Sequence, residues 1–231
     1  MLLAIDTSSL ILSCALAKED TLISEWTVQR KLTHSEQLIP HIDEMMKDAG
    51  VLREDITAVA CSIGPGSFTG LRIGLTSAKM MSYLWKVPLI CVDTLEALAW
   101  NLCGGYVFAL PLMDAQRGYV YAALYNTSHM RVIQEEAEGV FPIEEVIEKV
   151  KGSLLPVVAM GEAADKYADT LKEAGILLAP QTMRCCRAGS VAMAAWQKLK
   201  NNESSNPLTM VPNYIRRSEA EVQWEKRHGK V

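Results

Sequence analysis

The feature that most constrains this chain is the stretch Gly64-Pro65-Gly66-Ser67-Phe68-Thr69-Gly70-Leu71-Arg72-Ile73-Gly74. It follows an apolar, strand-like run over residues 58–63 and continues into a segment of helical periodicity, residues 71–85. Gly66, Gly70 and Gly74 are spaced by four, and Ala78 and Ser82 extend the series. Positions i and i+4 share one face of a helix, so this helix carries a stripe almost free of side chains. Each glycine inside a helix costs about 0.5–1 kcal/mol relative to alanine. Accepting that cost twice implies a compensating close approach, by a helix of the same chain, a helix of a partner, or a bound ligand.

Two phosphate-binding patterns can be tested against the string. A Walker-type loop needs G-x-x-x-x-G-K-[ST], and no lysine follows a glycine at that spacing. A dinucleotide fingerprint needs G-x-G-x-x-G, and Gly64-x-Gly66-x-x-x-Gly70 is one residue too long. Pattern alone therefore favours a glycine-rich turn with a tightly packed helix over a phosphate cradle.

The chain has 231 residues, 49% apolar and 22% charged, enough for one large domain or two small ones with a substantial core. Its net charge of −4 leaves no whole-protein basic field for unaided nucleic-acid binding. The six cysteines form no C-x-x-C pair; Cys14, Cys61 and Cys91 sit in apolar runs, and the adjacent Cys185 and Cys186 cannot readily bridge each other. A reducing compartment is expected. The first apolar run ends at Asp6 without a basic flank, and no apolar run approaches the roughly 18 residues of a membrane span. The expectation is a soluble, cytoplasmic protein.

Read in order, the first half gives strands at residues 2–5, 10–17 and 22–28, and a helix whose apolar face is Leu38, Ile39, Ile42, Met45, Met46 and Ala49. Thr33 and Glu36 fit a capping box at its start, and Pro40 implies a kink or a later beginning. The strand at 58–63, the glycine helix, a strand at 89–92 and a helix at 95–101 follow. Cys103-Gly104-Gly105 breaks the composition. The second half repeats the order: strands at 107–113, 119–125 and 131–135, a helix at 143–151, a strand at 155–160, a helix at 164–174, a strand at 176–179 and a helix at 190–199. Each half opens on an apolar strand ending in an aspartate, Asp6 or Asp114. This order predicts an α/β fold of two ribonuclease-H-like halves, as in actin-like ATPases and sugar kinases. The expected division is residues 1–103, residues 104–206, and a basic tail at 207–231.

In such a fold a ligand lies between the halves. Asp6, Thr7 and Ser8 at one strand end, with Asp114 and the Gly161 turn at the other, form a candidate nucleotide site. The alternative is that Asp6 simply ends its strand and bonds its own turn. The Gly161 turn has one glycine where related folds tend to carry more, and Arg117 can fill the phosphate position, so a degenerate site is expected rather than a full ATP site. The four histidines form neither H-E-x-x-H nor H-x-x-x-H; His34 and His41, seven apart, are about 10 Å apart along a helix, too far for one ion. No metal and no cofactor is expected. No G-x-S-x-G setting or cysteine–histidine signature marks a nucleophile.

The string Gly-Pro-Gly-Ser-Phe-Thr-Gly-Leu-Arg-Ile-Gly-Leu resembles one family closely, TsaB, also called YeaZ. The resemblance extends to residues 3–8, to His34-Ser35-Glu36 with Leu38 and Pro40, to residues 92–95 and to Pro212-Asn213-Tyr214-Ile215-Arg216. It spans nearly the whole chain in the same order. It implies the same two-half fold and a non-catalytic, dimerising role in making threonylcarbamoyl-adenosine at position 37 of tRNA. It implies a homodimer when alone, a heterodimer with a catalytic TsaD-type subunit, a TsaE-type ATPase as further partner, and tRNA reached through the complex, with no membrane. TsaD-like chains carry two metal-binding histidines where this chain has Thr94 and Leu98, which cannot replace imidazoles on a metal. The same lack disfavours a metalloprotease. Two apolar stripes on the glycine helix argue for a partner, and the resemblance places that interface on His34, Leu38, Met45, Phe68, Gly70, Leu71, Gly74 and Leu75. The alternative function is an active ATPase or kinase of the same fold. Arg216, Arg217, Lys226, Arg227 and Lys230 make the tail basic, with a helix plausible over 218–227, and the tail either touches tRNA phosphates or is solvated.

Overall fold

A computed structural model of the chain describes residues 1–29 and 34–215. The expected Thr33 cap and the basic residues from Arg216 onward lie outside these. Two five-stranded sheets form the frame. In the first, β1 (Leu2–Asp6) is central, with β2 (Ile11–Lys18) and β3 (Thr21–Gln29) antiparallel on one side and β4 (Ala58–Ser62) and β5 (Leu89–Val92) parallel on the other. In the second, β6 (Phe108–Asp114) is central, flanked by β7 (Tyr119–Asn126) and β8 (Ile133–Pro142) and by β9 (Val157–Met160) and β10 (Leu177–Leu178). The strand orders, β3-β2-β1-β4-β5 and β8-β7-β6-β9-β10, are the same topology twice. β1 and β4 are continuous buried runs, as strands covered on both faces must be, whereas the edge strand β3 is largely exposed.

Period-two alternation sorts the first sheet into two faces. Leu3, Ile5, Leu12, Cys14 and Leu16 meet α1 (His34–Asp48) and α2 (Phe68–Trp85) through Leu38, Ile42, Met45, Leu75, Ala78 and Met81. The opposite face, built of Leu2, Ala4, Ala15, Ala17, Ala58 and Ala60, receives α7 (Ala188–Lys200) through Ala188, Val191, Ala192, Ala194 and Ala195. Alanine against alanine lets helix and sheet approach closely. The second sheet is covered on one face by α4 (Ile143–Val150), α5 (Glu162–Lys166) and α6 (Ala168–Glu173), and on the other by α3 (Thr94–Ala99) through Leu95, Leu98 and Ala99. The strands of the two sheets divide between β5 and β6, and the last helix of each half covers the other half's sheet. The two halves are packed through α3 and α7, which touch each other.

Local differences from expectation have local causes. Pro40 lies inside α1 without ending it; both Pro40 and Glu36, whose carbonyl loses its partner, are solvent-exposed. α2 begins at Phe68, capped by Ser67, whose hydroxyl accepts from Gly70 N–H. The helix expected over 164–174 is two short ones meeting at Tyr167, whose backbone is not helical. No helix among the described residues is long and apolar enough to cross a membrane.

Candidate functional site

The glycine string records close approaches within the chain. A Cβ on Gly66, Gly70 or Gly74 would lie under 3.0 Å from the Ser8 carbonyl, the Thr7 carbonyl and the Thr7 hydroxyl respectively. Natural contacts confirm how tight the join is. Ser67 N–H donates to the Ser8 carbonyl at 2.6 Å, and the Thr7 hydroxyl donates to the Gly70 carbonyl at 2.8 Å. The bare stripe of α2 is therefore seated on the turn that follows β1. Gly64, with φ +129°, answers to a different neighbour: a Cβ there would meet the Asn213 carbonyl at 2.5 Å.

That seating buries the first candidate site. Asp6, Thr7 and Ser8 are 0%, 1% and 0% exposed. The Ser8 backbone N–H and hydroxyl donate to Asp6 Oδ1 at 3.0 and 2.8 Å. Burial pushes the Asp6 carboxyl above the ordinary range, and the Ser8 hydrogen bonds pull it part of the way back. Asp114 differs. It is half-buried, and its Oδ1 accepts from Gln116 N–H and from Lys166 Nζ, both at 3.1 Å. Gly161 has φ +90° and its missing Cβ lies against the Leu112 carbonyl, so it too serves close packing. Between these ends runs a segment that the sequence reading treated only as free thiols. Cys186 is buried against the Ser8 side chain; burial, then the carboxylates of Asp6 and, more weakly, Glu162 raise its thiol. Arg184 is ion-paired with Asp165, and Asn101 Nδ2 donates to the carbonyls of Met183 and Cys185 at 3.0 and 2.9 Å. Of the candidate nucleotide residues, Asp6, Thr7 and Ser8 are thus buried within the chain, while Asp114 stays half-exposed.

The proposed interface residues are distributed differently from the sequence reading. Gly70, Leu71, Gly74 and Leu75 are all buried, as are Leu38 and Met45 of α1. The reason is angular: Gly70 and Leu71 are adjacent residues about 100° apart, so the glycine and leucine stripes adjoin on one buried face of α2 rather than oppose each other. Leu38, Met45 and Leu75 belong to the chain's own core, and Leu71 is buried as well. His34 is half-buried, its Nε2 3.0 Å from the Ser9 carbonyl, and ties the start of α1 to the same turn. Phe68 is exposed and stacks on Tyr214 at 4.8 Å, with the Arg72 guanidinium 4.0 Å above its ring and donating to the Tyr214 hydroxyl at 3.0 Å. The outer face of α2 presents Thr69, Arg72, Thr76, Met80, Tyr83 and Leu84. Met80, Tyr83 and Leu84 are 53%, 58% and 63% exposed, and Ile39 stands open on neighbouring α1. Their spacing of three and four was readable in the sequence, but the glycines drew the assignment to the opposite side.

The two positions where a metal pair would stand are committed elsewhere. Thr94 Oγ1 accepts from Gly64 N–H at 3.2 Å, and Leu98 is buried in the second sheet's core. Among the described residues, no three His, Cys, Asp or Glu side chains gather where they could hold a metal ion.

Comparison with known proteins agrees with this architecture. The family described as TsaD, tRNA N6-adenosine threonylcarbamoyltransferase, matches residues 28–224. The tRNA threonylcarbamoyladenosine biosynthesis protein TsaB of Bacillus subtilis is 31% identical over 229 residues, covering 96% of this chain and 97% of its own. A crystal structure from Pseudomonas aeruginosa, of a protein with similarity to peptidase YeaZ, superposes with a TM-score of 0.83 at 24% identity, over 93% of this chain and 99% of its own. The ROK hexokinase of Thermus thermophilus shares the fold, with a TM-score of 0.53 at 12% identity over 87% of this chain and 99% of its own. Near-full-length identity to a curated TsaB, on a doubled sheet of the actin-like and sugar-kinase type, leaves one assignment: the chain belongs to the TsaB family.

Proposed function

We propose that this chain is a non-catalytic, dimerising subunit of the machinery that transfers a threonylcarbamoyl group to N6 of adenosine 37 in tRNA. It stabilises and orients a TsaD-type catalytic subunit, a TsaE-type ATPase joins the pair, and tRNA is engaged through the complex. Alone, the chain pairs with a second copy through the same face. Residues 1–103 carry that face, residues 104–206 complete the doubled frame, and residues 207–231 form the basic tail.

The observation that carries this reading is the outer face of α2, where Met80, Tyr83 and Leu84 stand open, with Ile39 of α1 also exposed. Tyrosine and arginine are frequent anchors of protein interfaces, and methionine suits a surface that takes more than one partner in turn. The partner face is therefore Phe68, Arg72, Met80, Tyr83 and Leu84 with Ile39, in place of the buried glycine stripe. Full burial of Asp6, Thr7 and Ser8 supports the non-catalytic side, because an ATPase or kinase needs that strand end open to phosphate. The net charge of −4 supports reaching tRNA through the complex.

The test is transfer to tRNA reconstituted from TsaD-type and TsaE-type subunits and the threonylcarbamoyl-adenylate donor, with and without this chain. The proposal expects transfer to require the chain and the chain alone to transfer nothing. Equal transfer in its absence would refute it.

A further inference from the structure

Three segments converge where the two halves meet beside Gly64. Asp93 caps α3, its Oδ1 accepting from Leu95 and Glu96 N–H at 2.8 and 3.4 Å. Glu138 comes from β8 of the second sheet. Asn213 comes from the segment after α7. Its Nδ2 donates to Glu138 Oε1 at 2.8 Å and reaches Asp93 Oδ2 at 3.5 Å, while its backbone N–H donates to the Ile63 carbonyl at 2.8 Å. One side-chain amide thus spans a carboxyl group from each half.

The chemistry of the two carboxyls is incomplete without a proton. Glu138 Oε2 is buried and finds no donor. The Asp93 carboxyl lies within hydrogen-bonding reach of Glu138, and two ionised carboxylates can only repel there. A proton held by one of them satisfies the orphan oxygen and removes the repulsion. Burial first, then the hydrogen bond and charge of Glu138, push Asp93 up to about 8. Among the described residues, the other titratable groups facing the pair do not supply a counter-charge. Glu96 of α3 is itself engaged by Lys198 of α7 at 3.0 Å, and Tyr125 of β7 is driven upward by burial and by the carboxylates of Asp93, Glu96 and Glu138.

We propose that Asp93 and Glu138 share one proton and, bridged by Asn213, form a clasp that joins the two halves to the C-terminal segment and loosens when that proton is lost. The next residue, Tyr214, stacks on Phe68 and bonds Arg72, so the clasp also seats the segment against the first turn of α2. This inference concerns the chain alone and does not rest on the assigned function.

Amide hydrogen exchange on the full chain, read on residues 206–215 and on β8 between pH 7 and 9.5 and corrected for the intrinsic rise in exchange, tests it. Wild type is expected to lose up to about 10-fold of protection across that range, as one proton is released with a midpoint near 8. Glu138→Gln keeps the shape and the hydrogen bonds but removes one charge, and Asp93→Asn keeps the helix cap; each is expected to change less than about threefold over the same range. Flat protection in wild type, or a wild-type-like loss in whichever variants fold, would overturn the clasp.

Discussion

The ends of β1 and β6 occupy the same place in two copies of one topology, and each carries an aspartate. Asp6 is fully buried, while Asp114 sits half-exposed in an ion pair with Lys166. The turns that follow differ in what packs on them. Gly66, Gly70 and Gly74 bring the start of α2 against the Ser8 carbonyl, the Thr7 carbonyl and the Thr7 hydroxyl, and Cys186, just before α7, packs on the Ser8 side chain. At the second strand end Gly161 meets the Leu112 carbonyl, and Asp114 keeps Lys166 as its partner. The same frame therefore yields a buried strand end where close-packed segments cover the turn and a half-exposed, charged one where they do not. A strand-end aspartate in this fold marks a position; what packs on the turn after it decides whether a ligand can use that position.

The largest effect expected from this contrast is at Gly70. Gly70→Ala places a methyl group against the Thr7 carbonyl, a rigid backbone atom that cannot yield cheaply. Overpacking of this kind is expected to cost about 3 kcal/mol or more, on the order of 6–12 °C in melting temperature for a chain of this size. Gly175→Ala is the control: its φ is +78° but nothing lies within 4 Å, so only backbone strain of about 1 kcal/mol is expected. Equal melting temperatures for the two variants would break the account of the glycine stripe.

A smaller effect separates the two aspartates by pH. The folded state holds a proton on Asp6 that the unfolded chain releases near an ordinary carboxylate value, because burial raises the folded group. That contribution to stability is complete below about pH 4 and is lost as pH rises through the raised value. Asp93 contributes in the same direction, so the comparison must be made by variant. Urea unfolding between pH 4 and 8 is expected to show a shallower decline for Asp6→Asn than for wild type. Asp114→Asn, which removes a partly exposed surface pair, is expected to leave the stability nearly unchanged. A decline in Asp6→Asn as steep as in wild type would contradict the part given to the buried Asp6.

Much of the frame was legible in residue order. The apolar runs at 2–5, 10–17 and 58–63 placed β1, β2 and β4 within a residue of their observed ends, whereas the strand expected at 131–135 is β8, Ile133–Pro142. The repeated order of strands and helices carried the doubled topology. Three things depended on tertiary contact and were not legible. The crossing of α3 and α7 to the opposite sheets follows from which faces are alanine-rich once the sheets exist, and no local pattern announces it. The role of the glycines was readable as close approach, but the string does not say what approaches; the Thr7–Ser8 turn lies about sixty residues earlier in the chain. The pairing of Asp93 with Glu138 joins residues of separate halves through Asn213, and a single carboxylate in a sequence carries no sign of a second one brought near by folding.

The central claim is that the working surface is the outside of α2. Equilibrium binding of a TsaD-type subunit to wild type and to Met80→Asp/Tyr83→Asp, both confirmed folded by thermal melting, tests it most directly. The account predicts a loss of affinity of at least about thirtyfold, from two exposed anchors made charged, with a melting temperature close to wild type. Unchanged binding by the folded double variant would contradict it.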